Sequence, residues 1–311
     1  MTIEIARTAA TESLVLSRWQ RTGAPTWIVA ALACGGWIPL TLGYHALPLG
    51  ALLPLAAFVM ALYGSLQHET IHGHPTRWRW VNEALGWAPL WLWLPYPIYR
   101  DEHRAHHDDA ILTDPLADPE SKYASPADWP RFGRLRRAAL RFNTTLLGRL
   151  TIGPALTMAD FLRRELRTVI AGEPGRRRIW ALHAFALVPV LAWLWACEIP
   201  LWAYALLFVH PGLSLTLLRS FAEHIASAEP EARTVTVEAG PFFSLLFLNN
   251  NLHALHHARP ELPWFALPRL ARRLPRPALR YGGYSEIARR FLLHPIHAPV
   301  HPLAGLHALI P

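Results

Sequence analysis

Leu47–His72, LPLGALLPLAAFVMALYGSLQHETIH, is the stretch on which the reading of this chain turns. Leu47 to Gln67 is apolar and long enough to cross a hydrocarbon core, which takes about 20 residues of helix. The run ends on His68-Glu-Thr-Ile-His72, two imidazoles four positions apart, which share one helix face. A span that delivers paired histidines to its end places metal-binding chemistry at a membrane edge. Two further clusters repeat the spacing, His103-Arg-Ala-His106-His107 and His253-Ala-Leu-His256-His257. Three such clusters, each beside an apolar segment, predict one polynuclear metal site.

A first apolar stretch, Thr26 to Ala46, precedes this one. The short link around Tyr44 to Pro48 makes the two a hairpin. A second hairpin follows from Ile179–Ala196 and Leu201–Leu218, with Glu198-Ile-Pro200 as its turn. Ala84 to Tyr99 is Trp-rich but short and interrupted by Pro89, Pro95 and Pro97, so it reads as interfacial or re-entrant. Trp87, Trp91 and Trp93 read as an interfacial belt rather than a tunnel lining. Asp108 to Arg137 reads as a polar surface loop, Leu146 to Ile170 as an amphipathic surface helix, and Ala226 to Arg233 as loop. Pro241 to Leu255 is apolar but too short for a span. The predicted fold is all-α: four transmembrane helices in two hairpins, interfacial helices, and one domain over residues 1–311. In it, residues 1–25 form an N-terminal cytoplasmic segment and residues 258–311 a C-terminal cytoplasmic cap. The N-terminus, with Glu4 and Glu12, carries no pattern of a cleavable leader.

Composition supports this. Of 311 residues 52% are hydrophobic, 17% are charged, and 14 are Trp. The net charge of +8 comes from arginines flanking the apolar runs: Arg18, Arg21, Arg77, Arg79, Arg176 to Arg178 and Arg219. That distribution follows the positive-inside rule and puts all three clusters on the cytoplasmic face. No nucleic-acid motif accompanies the charge, so a nucleic-acid partner is excluded. The two cysteines, Cys34 and Cys197, lie in or beside apolar runs and cannot build a Cys-rich metal or disulfide framework.

Neutral imidazole suits iron, zinc and copper. The clusters offer eight ligands and His224 a ninth, enough for two metals with open positions. Glu69, Asp101, Glu102, Asp108 and Glu223 stand near the histidines in sequence and suit the role of accepting a ligand's second N–H. His74 reads as supporting or structural. His45, His183 and His210 read as interfacial or internally bonded, and His294, His297, His301 and His307 as solvated loop histidines.

The set H-x-x-x-H, H-x-x-H-H, H-x-x-H-H, with spans between the first and third boxes, resembles the membrane fatty acid desaturase family, which includes hydroxylases and ketolases. Asn249-Asn-Asn-Leu-His253-Ala-Leu-His256-His257 is especially similar to the family's third box. The resemblance implies two Fe ions, dioxygen as co-substrate, and electrons from a separate protein of ferredoxin or cytochrome type. It implies His68, His72, His103, His106, His107, His253, His256 and His257 as ligands, His224 as an additional one, and Asn249 or Asn250 as orienting a metal-bound water. The three-residue spacer of the first box departs from the longer form in many acyl-chain desaturases; a small bacterial enzyme of the dihydrorhizobitoxine desaturase type fits it. The expected activity is O2-dependent desaturation of an aliphatic chain, on a fatty acyl lipid or related amphipathic metabolite, in a bacterial inner membrane. Hydroxylation or ketolation is the alternative. A divalent-metal transporter or sensor is the alternative from another class, and it predicts polar residues at the bilayer midplane, which the spans scarcely contain.

Overall fold

The structure is a computed structural model and describes residues 16–108 and 110–303. The expectations for the N-terminal residues Glu4 and Glu12 and for His307 lie outside the described residues. In chain order the helices are α1 (Ala24–Leu42), α2 (Leu49–Ile71), α3 (Arg79–Gly86), α4 (Tyr96–His106), α5 (Arg134–Asn143), α6 (Leu146–Thr151), α7 (Gly153–Ala171), α8 (Arg176–Ala196), α9 (Leu201–Ser220), α10 (Pro241–Leu246), α11 (His253–Ala258), α12 (Leu267–Ala271) and α13 (Tyr284–Phe291). Short turns of helix lie between some of them. Two-residue strands β1 (Thr236–Val237) and β2 (Arg280–Tyr281) pair in parallel. The protein is an all-α integral membrane protein. Four helices, α1, α2, α8 and α9, are long and apolar enough to cross a bilayer, with 19, 23, 21 and 20 residues. At 1.5 Å per residue, helices of this length match a core about 30 Å thick.

The chain divides into two compact units. One holds residues 17–101 and 153–217; the other, among the described residues, holds 102–152 and 218–303.

The first unit carries the spans. α1 packs on α2, and α2 on α3 and on the middle of α9. Gly212 permits the last approach: a Cβ there would lie 2.3 Å from Met60 Cβ. Small residues at such crossings let backbones come close. Within α9 the ladder widens to π spacing over Ala205–Val209. Pro211 just downstream has no N–H to donate, and this break in the ladder accounts for the bulge. Polar side chains inside this unit bond internally, as a bilayer requires. Trp37 Nε1 donates to the Tyr204 hydroxyl (2.9 Å), which reaches the Leu90 carbonyl (2.8 Å), and Trp193 Nε1 donates to Thr41 Oγ1 (2.9 Å). α8 keeps large side chains outward, with Phe185 78% and Trp195 82% exposed. Surfaces of that kind suit lipid tails.

Several boundaries differ from expectation. α2 continues through His68 to Ile71, because no breaker precedes Gly73, whose φ of 94° ends the helix. The first box therefore begins within the helix. Residues 87–95, between α3 and α4, form a non-helical segment. Irregular backbone at membrane depth needs protein around it. Leu90 and Trp91 are buried, and Trp91 Nε1 donates to Gln67 Oε1 (2.9 Å). Trp91 is thus no belt residue. Trp93 packs edge-on against Phe161, with ring centroids 5.2 Å apart. The amphipathic run from Leu146 breaks at Ile152 into α6 and α7, ahead of Gly153 and the donor-less Pro154. His183 makes the internal bond expected of it, Nε2 to the Leu92 carbonyl at 2.8 Å.

The second unit is where the stretch from 108 to 137 departs most from a polar surface loop. Leu112, Asp118 and Tyr123 are buried, and α5 begins at Arg134. Asp118 organises the loop: Oδ2 accepts the Thr113 N–H and Oδ1 the Glu120 N–H, both at 2.9 Å. The tail is folded in as well. Leu255 and Ala258 of α11 pack with Leu267 and Leu270 of α12. His301 is buried at 4% exposure with Nε2 3.2 Å from Thr113 Oγ1, and the half-buried His297 packs at a tilt on Tyr123, ring centroids 4.6 Å apart. These two are packed rather than solvated; His294 is exposed.

Candidate metal centre

Each histidine cluster is positioned by ordinary helix chemistry. α4 starts over Pro95 and Pro97, where proline costs a helix nothing because first-turn N–H groups have no partner. Seven to eleven residues beyond Tyr96, His103, His106 and His107 stand on one face, and the His107 N–H still bonds the His103 carbonyl at 3.3 Å. α11 is only six residues long and is aimed by the turn before it. Leu248 and Asn249 hold φ of 48° and 56°. The left-handed region suits Asn but is costly for Leu. The chain reverses there and sends His253, His256 and His257 into the second unit's interior, all under 5% exposed.

In this unit His106, His224, His253 and His257 each place a ring nitrogen within 4.8 Å of the others. His106 Nε2 is 3.0 Å and His253 Nε2 2.8 Å from His224 Nε2. The opposite nitrogens face oxygen: His106 Nδ1 faces Asp118 Oδ1 at 2.9 Å, and His253 Nδ1 faces Asn250 Oδ1 at 3.1 Å and Glu223 Oε1 at 3.4 Å. His224 Nδ1 is 3.3 Å from the Arg233 carbonyl. An oxygen acceptor requires Nδ1 to carry the proton, which leaves a lone pair on every Nε2. Three lone pairs facing one another at such distances repel unless a cation lies among them. Two ligands at right angles on bonds of about 2.1 Å lie about 3.0 Å apart, which matches this spacing. His257 adds a decisive observation: both ring nitrogens are buried without a hydrogen-bond partner. Buried polar atoms are nearly always bonded, so an orphaned imidazole amid three lone pairs fits a metal ion.

A neighbouring group in the same unit comprises His103, His107 and His256, whose ring nitrogens also lie within 4.8 Å of one another. His103 Nδ1 faces Glu120 Oε1 at 2.8 Å and its Nε2 is 3.1 Å from His107 Nε2. The rings of His107 and His257 stack with centroids 4.2 Å apart, which joins the two groups. The first-box pair belongs to the other unit, where His68 and His72 put ring centroids 4.9 Å apart at the end of α2. Glu69 is buried between them in sequence, and His74 is half-buried.

The electrostatics suit cations. Burial holds His224, His253 and His257 well below the usual imidazole pKa, and neighbouring imidazoles push the same way. Burial likewise takes His107 down to about 2. These rings stay neutral, which is the ligating form. His106 goes the other way. Burial pulls it down, but Glu120, Asp118 and Glu223 outweigh that and carry it to about 9. The negative field that favours a proton on Nε2 favours a metal cation there equally. Burial raises Glu120, yet His103, His106 and Arg219 together hold it below the usual carboxylate range. Burial raises Glu223 despite its 3.1 Å ion pair with Arg219.

Two supporting carboxylates escaped the sequence reading. Glu120 faces the Nδ1 of His103 and Asp118 that of His106, roles for which Asp101 and Asp108 had seemed suited. Asp101 instead pairs with Arg100 at 2.8 Å, and Asp108 Oδ1 accepts the Ala110 N–H. The signal was present as Asp114-Pro-Leu-Ala-Asp118-Pro-Glu120, an acidic run soon after the second box, but its polarity suggested a surface. Glu223 Oε1 and Asn250 Oδ1 both face His253 Nδ1, Asn250 thereby meeting a ring nitrogen where the resemblance implied a metal-bound water, whereas Asn249 Nδ2 donates to the Trp264 carbonyl at 3.0 Å.

A search of curated proteins found no match to the chain. Among protein-family models, that of the fatty acid desaturases matches residues 42–289, which takes in all three histidine boxes and His224. With four-fifths of its length matched, and with buried histidines gathered as a metal requires, the chain belongs to the fatty acid desaturase family, a family of oxidoreductases.

Proposed function

We propose that the protein desaturates an aliphatic chain, on a fatty acyl lipid or a related amphipathic metabolite, with two irons, dioxygen and electrons from a separate donor of ferredoxin or cytochrome type. The observation that carries the reading is the convergence of the His106, His224 and His253 Nε2 lone pairs beside the unpartnered ring of His257. His106, His224, His253 and His257 hold one iron. His103, His107 and His256 hold the other, and the family resemblance implies His68 and His72 as ligands too. When bound, the iron pair supplies the oxidising power toward an unactivated C–H bond that dioxygen alone lacks.

The chain's own residues prepare that chemistry. Asp118, Glu120, Asn250 and Glu223 fix the tautomers of their histidines, so every Nε2 is presented as a lone pair. The carboxylates among them offset the positive charge of the cations. Burial of the imidazoles keeps bulk water from the site, so that oxidising equivalents are spent on the substrate C–H bonds rather than in side reactions. The overall reaction removes one hydrogen from each of two adjacent carbons; these two hydrogens, together with dioxygen, two electrons and two protons, leave as two waters. The arginine-flanked ends support a site on the cytoplasmic side, where a soluble donor can reach it.

The test is a lipid profile of cells expressing wild type or His253→Ala, with iron measured on both purified proteins. A new double bond in wild type alone, with iron lost from the variant, is expected. A new hydroxyl group instead would reassign the protein to hydroxylation. Iron-loaded wild type with no altered acyl chain would remove lipid as the substrate.

A further inference from the structure

The unit that holds the second and third boxes also contains a concentration of positive charge. Lys122, Arg149 and His297 line one open cleft with Asn143, Thr144 and Phe221. Cations withdrawn from water normally sit against a carboxylate. Among the described residues neither Lys122 nor Arg149 has one within salt-bridge distance. Lys122 Nζ donates to the Phe221 carbonyl at 2.9 Å, which uses one of its three protons. Arg149 reaches Ser220 Oγ through Nη2 at a long 3.4 Å, and its Nε–H is buried without an acceptor. Asn143 Oδ1 is buried in the same lining without a donor.

The cost of this arrangement shows in the groups themselves. Burial and then the Arg149 charge bring the Lys122 ammonium down to about 7. Burial takes the Arg149 guanidinium down to about 10 against the pull of Glu223. Burial and Lys122 press His297 to about 3, so its ring is neutral. Two like charges and an idle N–H around one cleft call for an anion with several acceptor oxygens. The idle Asn143 oxygen calls for a donor on that same anion. A carboxylate only accepts, whereas a singly protonated phosphate accepts and donates.

We propose that the cleft of Lys122, Arg149 and Asn143 binds a phosphate group. The oxygens engage Arg149 Nε and the free Lys122 protons, and a P–OH meets Asn143 Oδ1. The phosphate comes either from a soluble phosphate ester or from a phospholipid headgroup. This site does not depend on the desaturation reading, since its residues ligate no metal.

The test uses the detergent-purified full chain with its metal bound. Inorganic phosphate is titrated while the thermal unfolding midpoint is followed, with chloride at matched ionic strength as control. A saturable rise specific to phosphate is expected, weakened at least tenfold in Arg149→Gln and in Lys122→Met. Unchanged metal content identifies whichever variant folds. Repeating the titration in nanodiscs separates the sources: a response abolished by phosphatidic acid but kept in phosphatidylcholine assigns the headgroup, and a response kept in both assigns a soluble ester. No saturable response of wild type in detergent, or an undiminished response in both variants, would overturn the proposal.

Discussion

Asp118 shows how one side chain can govern a metal site that it does not touch. Its carboxylate holds the loop through Thr113 and Glu120 and fixes the His106 ring through Nδ1. Asp118→Asn keeps the volume and an acceptor oxygen but removes the charge. Loss of such a partner costs roughly 10–100-fold in metal affinity. The variant is expected to surrender its metal at a correspondingly lower chelator concentration while its helix content is unchanged. A chelator midpoint equal to wild type would show that Asp118 serves the loop alone. His106 itself was legible from the spacing of three and four in its box. Asp118 was not, because a polar, proline-containing run gives no sign of which carboxylate the fold will bury.

Among the elements, the crossing of α2 and α9 is set by what is missing. A Cβ on Gly212 would meet Met60 Cβ, an atom that cannot rotate away, at 2.3 Å. Gly212→Ala is therefore expected to push the helices apart at a cost of about 1–3 kcal/mol, the range for overpacking. Gly35 in α1 has nothing within 4 Å of its Cβ position, so Gly35→Ala gains helix propensity and is neutral or stabilising. Reversible unfolding in mixed micelles compares the two; equal stabilities would refute the packing account. The four spans were evident in the sequence as apolar runs near the required length. The end of α2 was misplaced by four residues, since polarity begins at His68 while the hydrogen-bond ladder continues to Ile71. The polarity break and the end of the backbone ladder are different physical events.

For the whole molecule, the metal-free chain has opposing pH dependences. His224, His253 and His257 have folded pKa values below the unfolded value of about 6.5, so the unfolded state binds more protons and stability is lost as pH falls below that value. His106, raised to about 9, contributes stability that is complete below pH 6.5 and is lost as pH rises through 9. His107 and His297, lowered by burial in the same way, add to the acid side, and His106 acts on the alkaline side. The metal-free protein should be most stable near neutrality, with a steeper fall toward pH 5 than toward pH 9. Tryptophan fluorescence during thermal unfolding of chelator-treated protein measures it. A midpoint that climbs steadily toward pH 5 would contradict the burial of neutral imidazoles.

The sequence by itself determined that this chain crosses a membrane four times and carries three histidine boxes of the fatty acid desaturases. Both are properties of short windows, in which hydrophobic length and a spacing of three or four residues need no distant partner. Only the tertiary structure decided which oxygen faces each Nδ1, and that His297 and His301 are packed. It alone decided that Lys122 and Arg149 share a cleft without a carboxylate. Those outcomes join residues far apart in the chain, and burial and hydrogen-bond pairing act through space, not along the sequence.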